Sequence, residues 1–369
     1  MHSTSRIGIT GTGLWRPPGR ITNEDLVRSY NQYAAEQSAS GRPLPPSDAA
    51  FIEKASGVKS RYVIDPDGIL DPQRMRPRIS VRRQDEQSLQ CEAAVAAAQG
   101  ALTRAQCQPA TIDAVIAACS NFQRPYPAIA IEVQAALGAQ GFAFDMNVAC
   151  SSATMALQVA RDTIAAGHAT RVLVVNPEFC SAHLNFRDRD SHFIFGDACT
   201  AFVVEKFSDQ NTAPRTFEIL STRLLTRFSN NIRNDAGFLT PAEDRERDDP
   251  ALLFQQQGPR VFREVAPLVV CHLREHLCSQ NLPLERIRRL WLHQANAVMN
   301  QYIARKLLER EPEAAEAPSI IEEFANTSSA GSIIAFHRHH DDLEPGEVGI
   351  LCSFGAGYSV GSAILKRCA

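Results

Sequence analysis

No stretch of this chain stays apolar for the roughly 20 residues that a membrane-spanning helix needs. The opening MHSTSRIGITGTG has no apolar run behind a basic segment, so it does not read as a secretory signal. Ten cysteines stand at 91, 107, 119, 150, 180, 199, 271, 278, 352 and 368, and none forms a CxxC pair. That excludes zinc-ribbon spacing and the framework of a small secreted disulfide domain. Free thiols inside apolar runs fit a reducing, cytoplasmic setting. Positive charge is not in excess either: the net charge is -3, which leaves no bulk attraction to nucleic acid or to an anionic membrane. GITGTG near the start lacks the spacing of a GxGxxG dinucleotide loop, reads as a tight strand-to-loop turn, and no cofactor is expected. His337, His339 and His340 have no cysteine or carboxylate at ligand spacing, so they read as a solvated helix end and no metal is expected.

What is present is alternation. Short apolar runs at Arg6–Thr10, Ile112–Ala118, Ala143–Val148, Arg171–Val175 and Ala201–Glu205 read as strands. Helix-like periodicity covers Glu86–Arg104, Ala128–Leu137 and Ser151–Ala166. A second series starts at Phe217–Arg227. It continues through a helix at Gly258–Cys278, a strand at Leu290–Leu292, a helix at Ala297–Arg310 and a strand at Val348–Phe354. Such alternation predicts an α/β fold with parallel sheets covered by helices. With 369 residues the chain can bury a large core, and the two series divide it at 1–210 and 211–369. Three polar stretches, Tyr30–Ser47, Asp65–Arg82 and Asn231–Asp249, read as surface loops, with Asp65–Arg82 the one expected to approach a site.

Three polar residues stand at strand-to-helix junctions. Cys150 follows FAFDMNVA and precedes a helix that stops at Gly167. His293 follows Leu290–Leu292, and Asn326 follows another apolar run. In open α/β sheets ligands bind beyond the carboxyl ends of strands, so all three belong on one side of the molecule. A thiol at a helix N-terminus feels the positive end of the dipole and unpaired N–H groups, which favour the thiolate nucleophile.

These segments carry a resemblance. NVACSSA around Cys150, IFGDACTAFVVE at 194–205, GPRVFREV at 258–265, HQAN at 293–296, NTSSAG at 326–331 and the terminal SFGAGYSVGSAIL fall in the order found in one family. The chain resembles the β-ketoacyl-acyl-carrier-protein synthase III family of thiolase-fold enzymes, from about Ile7 to Lys366. HQAN with a downstream NTS is the specific part. Cys-His-Asn differs from the Cys-His-His of elongating ketosynthases. The loop Phe354–Gly357 lacks the proline of plant-type polyketide synthases.

The resemblance implies two similar halves, each with a mixed, mostly parallel sheet, layered α-β-α-β-α. It implies Cys150 from the first half, and His293 and Asn326 from the second, as the catalytic set. Cys150 attacks an acyl thioester to give an acyl-enzyme. Backbone N–H groups of Cys150 and Ala356 form the oxyanion hole, each donor worth roughly 3 kcal/mol. His293 and Asn326 then hold the enolate of a decarboxylating malonyl thioester, and a Claisen condensation gives a 3-oxoacyl product in fatty acid or polyketide-type biosynthesis. Partners implied are acyl-CoA or acyl-carrier protein, malonyl-carrier protein and a second copy of the chain. The resemblance places the family's dimer-crossing aromatic, which reaches the acyl pocket, near Tyr126. Two departures stand out. The stretch Ala50–Arg61 offers no tryptophan for the family's adenine grip, and the family's arginine falls near Ala55. Trp15 and Trp291 are the only tryptophans, and neither is placed for that role. This points away from acetyl-CoA, toward a longer or carrier-bound donor. Arg74, Arg76, Arg78, Arg82 and Arg83, or Arg286, Arg288 and Arg289, are candidates for docking an acidic carrier. A second reading joins an acyl-cysteine to a 3-oxoacyl partner, as in resorcinol-type pathways. A third, an inactive scaffolding subunit, is opposed by the intact Cys150, His293 and Asn326.

Overall fold

The structure is a computed structural model that describes residues 6–207, 213–246 and 248–368. Nine strands form its main sheet: β1 (Arg6–Trp15), β2 (Ala114–Ala118), β3 (Phe142–Met146), β4 (Arg171–Phe179), β5 (Asp197–Phe207), β6 (Phe217–Ser229), β7 (Ile287–Leu292), β8 (Val348–Gly355) and β9 (Gly357–Arg367). Their order across the sheet is β7-β8-β9-β6-β1-β5-β4-β2-β3.

Side-chain alternation explains the layering. Along β2, Ala114, Ile116 and Ala118 enter one core while Val115 and Ala117 enter another. Along β8, Leu351 joins the first of these cores and Ile350 and Cys352 a third. The shared core holds two helices, α4 (Ser152–Ala165) and α7 (Ala330–Arg338), between strands of the first and second series. On one outer face lies α3 (Leu89–Ala105), and on the other lie α5 (Gly258–Ser279) and α6 (Ala297–Leu308). The result is the α-β-α-β-α stack that the sequence implies. Strands of both series join where Gly8 pairs with Glu218 and Ile9 with Phe217. The dividing point at 210/211 lies outside the described residues.

The strand pairing is more mixed than helix–strand alternation suggests. Parallel pairing is confined to β2 with β3 and β4, and β7 with β8. The long strands β1, β5, β6 and β9 pair antiparallel in the middle. Antiparallel neighbours need no crossover helix, and β9 follows β8 after the single residue Ala356.

Other local expectations change as well. GITGTG is not a turn but part of β1. A Cβ on Gly11 would sit 2.2 Å from the Ala101 carbonyl, and one on Gly13 1.9 Å from that of Ala97. The glycines let α3 lie directly on the strand. Most of Tyr30–Ser47 is likewise not a loop. Tyr30 to Ala39 finishes α1 (Asn23–Ala39), which a Thr22/Asp25 capping box starts. Leu26, Tyr30 and Ala34, four residues apart, bury one stripe of it. The histidine end of α7 is not solvated: His340 is buried and stacks on Phe336, and the His337 ring bonds Thr12 and Arg104.

Several histidines share this buried condition. Burial pushes His192 and His337 down to about 3, and His183, His272 and His276 to about 4. His272 and His276 both bond Ser362 Oγ, at 2.8 and 2.7 Å. The folded state binds fewer protons here than the unfolded chain, whose histidines titrate near 6.5. Stability is therefore full above about pH 6.5 and falls toward pH 4, by up to about 1.4 kcal/mol per pH unit for each ring. The unfolding temperature should drop steadily across that window; a flat profile from pH 7 to 4.5 would contradict it.

Candidate active site

Both central helices aim their N-termini at one place. Before α4, Ala149 adopts a left-handed φ of 46°, which turns the chain so that Cys150 heads the helix. Before α7, Ala325 (φ 55°) and Ser328 (φ 49°) flank Asn326 in the same strained region. Non-glycine residues hold such geometry only when their surroundings impose it. Asn326 is fixed by its backbone, with its N–H on the Ile194 carbonyl and its carbonyl on the Gly196 N–H, both at 3.0 Å. His293 leaves β7 with its N–H on the Cys352 carbonyl at 2.7 Å.

Donors converge on the Cys150 sulfur. Ser328 Oγ lies 3.5 Å from Sγ. The backbone N–H groups of Ala356 and Cys150 also favour its charged form. Ala356 sits between β8 and β9. Its neighbour Gly355 has no room for a side chain, since a Cβ there would stand 2.6 Å from Cys150 Cβ. Asn326 Oδ1 accepts the Ser328 N–H at 2.9 Å, which leaves the Nδ2 amide as the free donor. His293 packs edge-on against Phe354, with ring centroids 5.2 Å apart.

Cys150, His293, Asn326, Phe354 and Gly355 line one cavity of about 200 Å³. Its walls are mainly apolar, with Phe193, Phe195, Ile232, Phe254 and Val261 prominent. Asn296 of the HQAN motif caps α6 and bonds the Ala55 carbonyl at 2.8 Å. A larger hollow of about 600 Å³ lies at the far end of β7, beside Arg286, Arg288 and Glu347. It holds no nucleophile, and its walls carry the Arg310–Glu316 and Arg288–Glu347 ion pairs. Cys150, His293 and Asn326 all line the smaller cavity, and none of them lines this one.

The electrostatics reverse one expectation. Burial pushes the Cys150 thiol up to about 11, against the Ser328, Ala356 and Cys150 donors, and the Glu178 carboxylate pushes the same way. Desolvation outweighs the helix terminus, so the free enzyme holds a thiol. Burial pushes His293 down to about 4, with the Ser328 carbonyl partly opposing, so its ring is neutral at ordinary pH.

Other candidates fall elsewhere. Tyr126 is 75 % exposed and does not line this cavity. No residue of Asp65–Arg82 lines it either; Ile69 and Met75 pack behind Phe193 and Phe195, and the third stretch supplies Ile232. Arg289 is buried on Asp342 and the His339 carbonyl, which removes it from any docking surface. Arg286 and Arg288 stand at the start of β7, roughly 20 Å of strand from His293. Arg78, Arg82 and Arg83 are paired with Asp71, Glu92 and Asp85. Trp15 packs on Phe179 and Trp291 is fully buried, so neither reaches the cavity. In place of a tryptophan, the structure offers Phe51, 48 % exposed, with the Arg189 guanidinium 5.5 Å over its ring beside the cavity residue Asp190. Sequence reasoning also missed Ser328, although it lies within NTSSAG.

Alkylation of Cys150 by iodoacetamide should rise toward alkaline pH, with a midpoint above the ordinary cysteine value of about 8.5. A midpoint near 7 would show that the helix terminus prevails over burial.

Comparison with known proteins agrees with the site. The sequence model of 3-oxoacyl-[acyl-carrier-protein] synthase III matches residues 144–224, and that of its C-terminal part residues 277–367. The β-ketodecanoyl-[acyl-carrier-protein] synthase of Pseudomonas aeruginosa is 57 % identical over 344 residues, covering 93 % of this chain and 98 % of that protein. The β-ketoacyl-[acyl-carrier-protein] synthase III of Mycobacteroides abscessus is 28 % identical over 98 % of this chain and 95 % of its own. The crystal structure of 3-oxoacyl-[acyl-carrier-protein] synthase III from Aquifex aeolicus superposes with a TM-score of 0.77 at 24 % identity, covering 98 % of this chain and 99 % of that one. A relative this similar along nearly its whole length, with the thiolase-type layering and a cysteine where two central helices meet, shows that the chain belongs to the β-ketoacyl-acyl-carrier-protein synthase III family of condensing acyltransferases.

Proposed function

We propose that Cys150 takes an acyl group from a thioester donor and passes it to the carbanion of a malonyl thioester, with His293 and Asn326 serving the second step. The observation that carries this reading is that Cys150, with Ser328 Oγ 3.5 Å from its sulfur, shares one cavity with His293 and Asn326. In the first step the Cys150 sulfur bonds the acyl carbon and the donor thiol leaves with the proton. The tetrahedral oxyanion faces the N–H groups of Cys150 and Ala356. In the second step the malonyl carboxylate leaves as carbon dioxide. The enolate oxygen accepts from the neutral His293 ring N–H and from Asn326 Nδ2. The carbanion then attacks the acyl carbonyl and releases Cys150.

The donor we infer is a medium-chain acyl-CoA. The Pseudomonas relative is named for a ten-carbon product, which subtracting the two malonyl carbons leaves as an eight-carbon acyl group. The phenylalanine-lined cavity is apolar enough to accept such a chain. The Phe51–Arg189 stack offers a flat aromatic and cationic platform for a purine ring. We also infer a homodimer. Strand β3 is a sheet edge with Phe142 and Phe144 stacked at 6.4 Å along it, an arrangement that invites pairing with a second copy. Tyr126 would then reach the partner's acyl cavity and set its length. The division at 1–210 and 211–369 is proposed as two halves with one site between them.

Cys150→Ser should abolish acyl-enzyme, whereas Asn326→Ala should still acylate and lose malonyl decarboxylation roughly a hundredfold. Equal loss of both half-reactions in Asn326→Ala would defeat the division of roles. Phe51→Ala should raise KM for acyl-CoA several-fold and leave KM for acyl-carrier protein unchanged. Parallel rises for both donors would remove the purine platform.

A further inference from the structure

Beneath the site lies a buried carboxylate that the proposed chemistry does not use. Glu178, on β4, is 1 % exposed. Its Oε1 accepts the Ser120 N–H at 3.0 Å, the Ser329 N–H at 3.1 Å and Ser329 Oγ at 2.5 Å. Its Oε2 accepts Ser120 Oγ at 2.5 Å. Among the described residues no cation pairs with it, and such a group is costly to bury unless several donors hold it.

The two serines lead to opposite sides of the reaction centre. Asn147 Nδ2 donates to the Ser120 carbonyl at 2.8 Å, and Asn147 Oδ1 accepts the Ala149 N–H at 2.8 Å, one residue before the nucleophile. On the other side, Ser329 follows Ser328, which holds Asn326 Oδ1 through its N–H and Cys150 Sγ through its hydroxyl. A continuous chain of hydrogen bonds therefore runs from the residue before Cys150, through Glu178, to the asparagine loop. The left-handed residues Ala149 and Ser328 are its ends.

We propose that Glu178 is a positioning residue that sets the separation between Cys150 and Asn326, and so the register between the acyl group and the incoming enolate. The inference rests on the reading of Cys150 and Asn326 given above. The carboxylate carries a cost, because its charge opposes the thiolate. A glutamine in its place keeps one oxygen for the two backbone N–H groups, and the Ser120 hydroxyl can turn to accept from the new amide. The charge is then gone while the clamp remains. Alanine removes both.

The test uses the full chain with octanoyl-CoA and malonyl-acyl-carrier protein. Peptide-mapped mass spectrometry of the wild type comes first, and an acyl group on another residue would overturn the nucleophile assignment rather than this inference. In Glu178→Ala, condensation should fall roughly tenfold to a hundredfold more than acylation, as expected for misplacement of one reacting group against another. Glu178→Gln should restore condensation and move the pH midpoint of Cys150 alkylation downward. Wild-type condensation in Glu178→Ala overturns the inference, as does a Glu178→Gln variant that condenses no better than Glu178→Ala. If Glu178→Ala does not fold, Ser329→Ala carries the same test. It should show the same split to a smaller degree, and equal loss of both half-reactions would count against the clamp.

Discussion

The meeting of two buried helix N-termini at one sulfur is the constraint on which the rest of this structure depends. Helices α4 and α7 fill the central layer, and each is apolar enough to be covered by strands on both sides. Because their packing is fixed by that core, so are the loops that start them. Those loops carry Cys150 on one side and Asn326 with Ser328 on the other. The main sheet adds His293 at the end of β7 and the Ala356 turn between β8 and β9. The strain at Ala149, Ala325 and Ser328 is sustained by this burial and by hydrogen bonds to neighbouring backbone.

The same burial decides the protonation states. Cys150 is only partly exposed, and desolvation there costs the thiolate more than the nearby donors return. Exclusion of water from His293 keeps the ring neutral. In the proposed reaction a neutral thiol and a neutral imidazole form a site where charge appears only as the thioester carbonyl oxygen becomes an oxyanion. Donors already in place then act without rearrangement. The apolar walls at Phe193, Phe195 and Phe254 keep the dielectric low, and under the proposed function they also hold the alkyl chain.

Much of this was legible in the sequence because it is written in short-range patterns. The Cys150, His293 and Asn326 junctions each combine an apolar run, a polar residue and a helical start, and the structure puts them around one cavity. What escaped has identifiable physical causes. Helix α1 hides its buried stripe among serines and glutamines, so Tyr30–Ala39 looks like loop. The glycines of β1 look like a turn because their partner, α3, lies some eighty residues away. Phe51 and Arg189 meet only through tertiary folding, so a search for tryptophan overlooks their stack. Glu178 lacks any local signature, since its donors Ser120 and Ser329 are 58 and 151 residues distant. The thiol's acidity was misjudged for a related reason: a helix N-terminus is visible in sequence, and the burial that opposes it is not.

The most direct test of the account follows one acyl group through the wild-type enzyme. Octanoyl-CoA is added, the protein is quenched and digested, and the acylated peptide is identified; malonyl-acyl-carrier protein is then added to a parallel sample. The account predicts an octanoyl group on Cys150 alone, which disappears on the second addition as a ten-carbon 3-oxoacyl chain appears on the carrier. An octanoyl group on any of the other nine cysteines, or one on Cys150 that malonyl-carrier protein does not discharge, would contradict it.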